Sequence, residues 1–590
     1  MRHEADSSMP DLESTLDEYP HFKDLHARTV SDYFENLVRT SGVDEAENAR
    51  LVAELRGLEK AAAAAKKSLN GWRVALVTGI VIIIAATVTA FSVRGAAYLL
   101  LIVTVAVAVV LLSKVRSELT SKASLRRTLE TGRETKLAEA WAQMAPLNRL
   151  HTWGVAAQLF QDAFPNVVMD RYVSSDRLDD FVSCYDLWPD LGDNFSTIFA
   201  QSGAFKGNPL IVARYLQHWI DQKRYTGSLV IHWQERVRNP QGEWVNESRS
   251  QTLTAYVTKP FPRFEESTTL FYGHEAAPHL SFSRRPSNLS GAGEGGFKDW
   301  RRNRKVKKVE RMARRGVSTG TGGLTVMSNK DFEALFHATD RDHEIEFRLL
   351  FTPLAQQEMV KLLNDRTIGY GDDFAITKLG KVNLVETTHL AQTRLDADPS
   401  LFLAYDLSEA RRFFNSFHAS YFKALYFGLA PLLTVPLYRD ARSTPGPASR
   451  PLRHESCSWE HESMAHLLGE TEFRHPESIT RNLLKTTAVK VNDSVHAVSV
   501  TALGYRGIDR VDYVSVRGGD GHMHSVPVPW IEYIPVQAQR RMLVGVLDSG
   551  GSGQDIDAAL EQNWTAALHM SGTSATTSRS RGSLAACLLA

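Results

Sequence analysis

Three short stretches hold side chains whose types and spacing could do chemistry. Tyr370-Gly371-Asp372-Asp373 sets two carboxylates side by side behind a glycine. Carboxylates arranged this way hold Mg²⁺ for two-metal phosphoryl transfer in the palm hairpin of viral RNA polymerases. That chemistry also needs a further aspartate on an upstream strand, and Asp340 and Asp342 are the only nearby candidates, on a turn before a segment of different character. A β-turn carrying solvated acids is the expectation for the tetrad. The second stretch, RHESCSWEHESMAH, brings together His454, Cys457, His461 and His466, residue types that bind zinc. A spacing of five between His461 and His466 turns the two imidazoles about 140° apart on a helix, so structural histidines are expected here and no metal site. His522 and His524 flank Met523 on one strand face and are expected to be exposed.

The third stretch is a basic run that includes Arg301, Arg302, Arg304, Lys305, Lys307, Lys308, Arg311, Arg314 and Arg315. Its charge density suits the phosphates of lipid or nucleic acid, and a solvated basic loop between glycine-rich flanks is the plain alternative. The sequence shows no P-loop, dinucleotide fingerprint or nucleophile elbow, so no cofactor is expected and no catalytic residue is assigned. A Ser-His-Asp site assembled only in three dimensions stays open.

The elements that must position these groups are of mixed type. Residues from about 11 to 70 read as helix, with Leu51, Leu55, Leu58, Ala62, Ala65 and Leu69 forming a short coiled-coil seam. A looser stripe of Val115, Leu119, Leu125, Leu129 and Leu137 follows, so the two segments could lie antiparallel as a stalk or pair between chains. From Tyr225 the pattern turns to strands: Leu229–Trp233, a turn at Asn239–Gly242, Gln251–Val257, then Glu265–Tyr272. Glu344–Phe351 alternates with a period near two and reads as a strand. Thr352-Pro353, Ser328–Asp331 and Asp406–Glu409 each carry helix-start chemistry. The apolar stretch from Ala424 to Tyr438 is expected to be buried core or interfacial. Val498–Leu503, Val511–Val516 and Ser525–Val536 read as strands around a Gly518–Gly521 turn, and the region after Leu547 as a flexible, disordered tail.

Two uncharged apolar runs, Val74–Val93 and Ala96–Ser113, flank a break at Arg94-Gly95. At about 1.5 Å per residue each matches a bilayer's hydrocarbon, which predicts a transmembrane helical hairpin. Lys66, Lys67, Arg73, Lys114, Arg116, Lys122, Arg126 and Arg127 flank the pair, so both termini are expected on the cytoplasmic side of the inner membrane. The expected fold is therefore α+β: an N-terminal coiled segment (1–73), the hairpin (74–113), a helical stalk and connector (114–200), a main α+β domain (201–440), a C-terminal α+β portion (441–547) and the tail (548–590). With 68 basic and 67 acidic side chains no global field points to nucleic acid, and three widely spaced cysteines offer no disulfide framework.

Several strings resemble an uncharacterised family of bacterial membrane proteins, well represented in mycoplasmas and overlapping a broader class of domains of unknown function. They are FKGNP (205–209), YTGSLVIHW (225–233), QTLTAYVTKPFP (251–262), HEAAPHLSFSRRPSNLSG (274–291), residues 327–365, WEHES (459–463) and residues 511–536. The resemblance implies paired membrane helices and supplies no activity and no catalytic residues. The functional expectation is an interaction or scaffold module at the inner membrane. Its partners would be the lipid bilayer, a protein of unknown identity and a second copy through the N-terminal helix, with no specific nucleic acid. The alternatives are an unrecognised hydrolase using Asp372, Asp373 or the 454–466 region, or an anionic lipid or nucleic-acid sensor working through residues 301–315.

Overall fold

A computed structural model describes residues 14–91, 97–187, 192–238, 240–287, 304–305, 307–308, 311, 327–440, 455–491, 495–546 and 575–589, without the side chains at 75, 82–83, 85–112 and 575–576. It divides into two compact units, one of residues 30–151 and 398–417, the other of 1–29, 152–397 and 418–590.

The first unit is built on two long helices, α2 (Glu45–Phe91) and α3 (Ala97–Asn148), preceded by the part of α1 (Thr15–Ser41) from Val30 onward. α2 and α3 run antiparallel: Arg133 bonds Glu59 at 3.2 Å and Lys136 bonds Glu54 at 3.2 Å. The seam residues Leu51, Leu55, Ala65 and Leu69 are buried within the chain, so the stripe read from the sequence forms an intramolecular hairpin.

The two-span expectation is corrected. Among the described residues no helix is long and apolar enough to cross a membrane. Most of both runs, and the break at Arg94-Gly95, fall outside the described side chains. The transmembrane hairpin, the multi-pass topology and the inner-membrane placement are withdrawn.

The second unit carries twelve strands among its described residues: β1 (Val167–Met169), β2 (Phe195–Phe205), β3 (Asn208–Arg238), β4 (Trp244–Gly273), β5 (Ser281–Arg284), β6 (Phe374–Leu379), β7 (Val382–Thr387), β8 (Leu483–Lys490), β9 (Val495–Arg517), β10 (Met523–Val546), β11 (Ala575–Arg581) and β12 (Leu584–Leu589). Two antiparallel sheets result, ordered β1-β2-β3-β4-β7-β6-β5 and β11-β12-β10-β9-β8. The buried helix Ser458–Leu468 supplies Met464, Ala465 and Leu468 to the core under the second sheet, with Val498, Val500, Val544 and Leu584.

Two further expectations change. Glu344–Leu350 is a helix capped by His343, with Phe347 and Leu350 buried three residues apart while Ile345 and Leu349 face solvent. The apparent alternation was one stripe of a short helix. The tail is not all flexible: β11 and β12 pair with each other, and β12 pairs with β10 because LAACLL has an apolar face to bury. Residues 547–574 lie outside the described residues. The Thr352-Pro353 start does open a helix, with Thr352 accepting the Ala355 N–H, and Asp406 caps Leu407–Leu433 through Ser408 and Glu409. From Ala424 to Val435 every described side chain is buried, as expected of core.

Candidate functional site

The histidine stretch forms a buried polar network on the Ser458–Leu468 helix, and His454 lies outside the described residues. The Ser456 hydroxyl lies 3.0 Å from His461 Nε2, which is 3.1 Å from His496 Nδ1, and His496 Nε2 is 3.3 Å from Glu455. Serine, imidazole relay and carboxylate thus stand in the order of a nucleophilic site. Ser456 is only 2% exposed, however, and the neighbouring Cys457 amide, which could serve an oxyanion, already donates to Val173 O at 3.3 Å. Burial, with His496 adding, drives the His461 pKa down to about 3, and burial takes His466 to about 4 beside Ser196 at 2.9 Å. Burial likewise lifts the Cys457 thiol to about 12, so no thiolate forms there at neutral pH.

The same helix buries two carboxylates. Glu460 accepts from the Val173 N–H and pairs with Arg581, while Glu462 accepts from the Thr197 N–H at 2.7 Å and pairs with Lys485 at 2.8 Å. Burial raises both pKa values against the pull of those cations. Beside Glu460 and Arg581 lies a cavity of about 50 Å³, lined also by Trp153, Arg171, Tyr172 and Phe199.

The Tyr370–Asp373 tetrad departs from the solvated turn expected of it. Asp372 is buried against Arg284, whose pKa burial lowers to about 9, and it also accepts from Ser287. Asp373 accepts from Thr388 and sits 3.8 Å from His389. Asp340 and Asp342 accept from the Ser283 and Ser281 amides of β5. The carboxylates face different partners, and no group of metal-ligating side chains occurs among the described residues. Of the basic run, Arg304, Lys307, Lys308 and Arg311 are exposed and Lys305 half-buried, with burial and the nearby Arg284 charge lowering the Lys305 pKa. Arg301, Arg302, Arg314 and Arg315 lie outside the described residues. His522 is exposed as expected; His524 is half-buried and held by Asp520 at 2.8 Å.

A different region has the form of a presented surface. β3 pairs with β2 only up to Gln217, and β4 pairs with β7 only from Leu270. Beyond those points β3 and β4 continue as a two-stranded hairpin in unbroken register from Gln217–Glu265 to Arg238–Trp244. The extension is roughly 20 residues a strand, about 65 Å of chain. An isolated hairpin of this kind is marginal in water. Here β9 and β10 extend alongside and lie against it, and Ile231, Leu253, Ala255, Val526 and Val528 form a core of their own. Lys259 reaches across to Asp512 at 2.7 Å and lies 4.3 Å from the Trp530 ring, so its ammonium holds the Asp512 carboxyl below its usual range. Gly519 donates to Gln251 at 2.7 Å near the tip. Gly227 is needed where the layers cross, since a Cβ there would overlap the Pro527 carbonyl.

Side-chain alternation assigns the faces. From Arg224 to Arg238 and from Trp244 to Thr258, odd residues such as Ile231, Leu253 and Ala255 face the second hairpin and even residues face solvent. Nearer the base the even residues His218 and Phe264 pack against Tyr505 instead. The even set carries Arg224, stacked 3.6 Å over Tyr256, and Arg236 and Arg238, 5.9 and 5.2 Å from the Trp244 ring. None of these was singled out from the sequence; the signal was the parity of the arginines against Leu253 and Ala255 once the hairpin register is known.

No family model, curated protein or solved structure matches this chain.

Proposed function

We propose that this protein is an interaction module that captures an extended segment of a partner protein on the edge of β3 that, beyond Gln217, pairs with no strand among the described residues. The supporting observation is the distribution of proline along the two extended hairpins. A proline in a regular ladder must turn its missing donor away from its partner strand. Pro260 and Pro262 of β4 pair with Gln222 and Ile220, so the even residues of both strands direct their N–H groups outward. The Gln222 N–H agrees: it leaves the ladder and donates to the Asp221 side chain at 2.7 Å. The β4 edge therefore lacks two outward donors. The β10 edge lacks three, at Pro527, Pro529 and Pro535. From Leu210 to Arg238, β3 carries no proline.

An exposed strand edge is a template for another chain, and natural proteins blunt such edges with proline and charge. Blunting one edge of the hairpin while leaving the other intact suits addition of a partner strand, in which main-chain hydrogen bonds give affinity and alternate side chains give specificity. The test is a photo-crosslinking residue in place of Val230, which is 55% exposed on β3, in cells making the full chain. A discrete protein adduct is expected at Val230 and none at Ile345, which is more exposed but lies on a short helix. The absence of any discrete adduct at Val230 would overturn the reading.

A further inference from the structure

Strand addition, on which this inference rests, leaves open what the captured segment looks like. The solvent face of the β3–β4 extension answers through its charges. From Arg224 to Arg238 and from Trp244 to Thr258 the even residues of the two strands include no aspartate or glutamate. They carry Arg224, His232, Arg236 and Arg238 among serines, threonines, glutamines and exposed aromatic rings. Of the carboxylates on these strands, Asp221, Glu235, Glu247 and Glu265 fall at odd positions, and Glu266, at an even position near the base, is paired with Arg481 at 3.1 Å. The odd ones meet arginines of their own register: Arg249 lies 2.7 Å from Glu235, and Arg263 lies 3.4 Å from Asp221.

Arg224, Arg236 and Arg238 form no ion pair with a carboxylate among the described residues. Each lies against an aromatic ring instead. A guanidinium stacked on a ring is held flat while its N–H edge stays available for a carboxylate, and it keeps its charge at any physiological pH. The ring also restricts the side chain beforehand, which lowers the entropy lost on binding. A strand added at the β3 edge would run about 4.8 Å away, with alternate side chains on this same solvent face. Acidic residues at those alternate positions would stand opposite the three arginines.

We infer that the partner presents an extended acidic segment, with Asp or Glu at every second residue, which adds along Arg224–Arg238 and is read by these arginines. A single nucleic-acid strand is the other polyanion such a face could attract. It is disfavoured because the arginines already occupy the rings on which bases would stack: Arg224 covers Tyr256, and both Arg236 and Arg238 lie by Trp244.

The experiment uses the full chain and three fluorescein-labelled probes: a peptide of alternating Glu and Thr, the same peptide with Gln for Glu, and an oligothymidylate of equal length. Anisotropy is read at about 50 and about 200 mM salt, since a charge-driven contact weakens as screening rises. The Glu peptide is expected to bind at least about tenfold more tightly than the Gln peptide, and more weakly at the higher salt. The triple variant R224Q/R236Q/R238Q should lose about tenfold or more, and the control R249Q/R263Q should stay within about twofold. Near-ultraviolet circular dichroism of both variants checks that the hairpins remain folded. Equal binding of the two peptides, unchanged binding by the triple variant, preference for the oligothymidylate, or no binding by any probe would each overturn the inference. An adduct at Val230 without binding of the Glu peptide would leave the interaction reading standing and remove only the acidic chemistry.

Discussion

The two extended hairpins share one core yet present opposite chemistry to solvent. β3 and β4 turn outward arginines, hydroxyls and two ring-supported guanidinium clusters, with one strand edge free of proline. β9 and β10 turn outward Val511, Tyr513 and Met523, at 49%, 70% and 63% exposure, with Pro527 and Pro529 in the same outward register. Both keep an unbroken antiparallel register and share the same packing, although β3 and β4 have 31 and 30 residues against 23 and 24 in β9 and β10. Stability therefore does not require the difference in outer chemistry. Similar frames with different outer faces separate what holds the extension together from what it displays.

The harshest way to break that frame is Gly227→Val. The new side chain would collide with the Pro527 backbone and force the layers apart, with an expected loss of about 3 kcal/mol in the stability of the extension. Faster hydrogen exchange in both hairpins, with unchanged exchange in β8 and β12, would show it. Unchanged exchange throughout would mean the two hairpins do not support each other.

A second prediction sets the hairpins against the polar network under the Ser458–Leu468 helix. His461 has its pKa depressed from 6.5 to about 3, so the folded chain binds fewer protons than the unfolded one between those values. Its contribution is present above pH 6.5 and is lost as pH falls through that window. The raised carboxyls of Glu460 and Glu462 act in the opposite sense, because the folded state protonates them more readily. His461→Gln should therefore reduce the stability lost between pH 7 and pH 4.5 by about 2 kcal/mol, read as urea midpoints at the two pH values. The hairpin extension, whose ion pairs are largely exposed, should respond weakly over the same range. An acid response identical in the variant and the parent would contradict the account.

The smallest effect sharpens the contrast between edges. Replacing Pro527, Pro529 and Pro535 together with threonine restores three outward donors to β10 at a cost in folding stability below about 1 kcal/mol. The variant should self-associate at concentrations where the parent does not, as seen by light scattering. If it stays as dispersed as the parent, proline is not what protects that edge.

Much of this architecture was legible in the sequence. Thr352-Pro353 and Asp406 announced helix starts because a cap is a local contact between neighbours in the chain. The alternation from Leu229 to Val257 announced a hairpin for the same reason. The failures share a different cause. Glu344–Leu350 was misread because seven residues hold barely two turns, too few to separate a period of two from one of 3.6. β4 was read as two strands because Pro260 and Pro262 look like breakers until their outward register is known. Neither the Asp372–Arg284 pair nor the His461–His496 contact could be foreseen, since each joins segments distant in sequence. The arginine face was hidden likewise: parity has meaning only once one strand is known to lie across from another.

The claim on which the rest stands is that β3 presents a usable edge, and the crosslinking residue walked along that strand tests it most directly. Placed one at a time at 224, 226, 228, 230, 232 and 234, it should yield one recurring adduct, and it should yield none at 527 or 529 on β10. Adducts that appear equally on both hairpins, or only on β10, would contradict it.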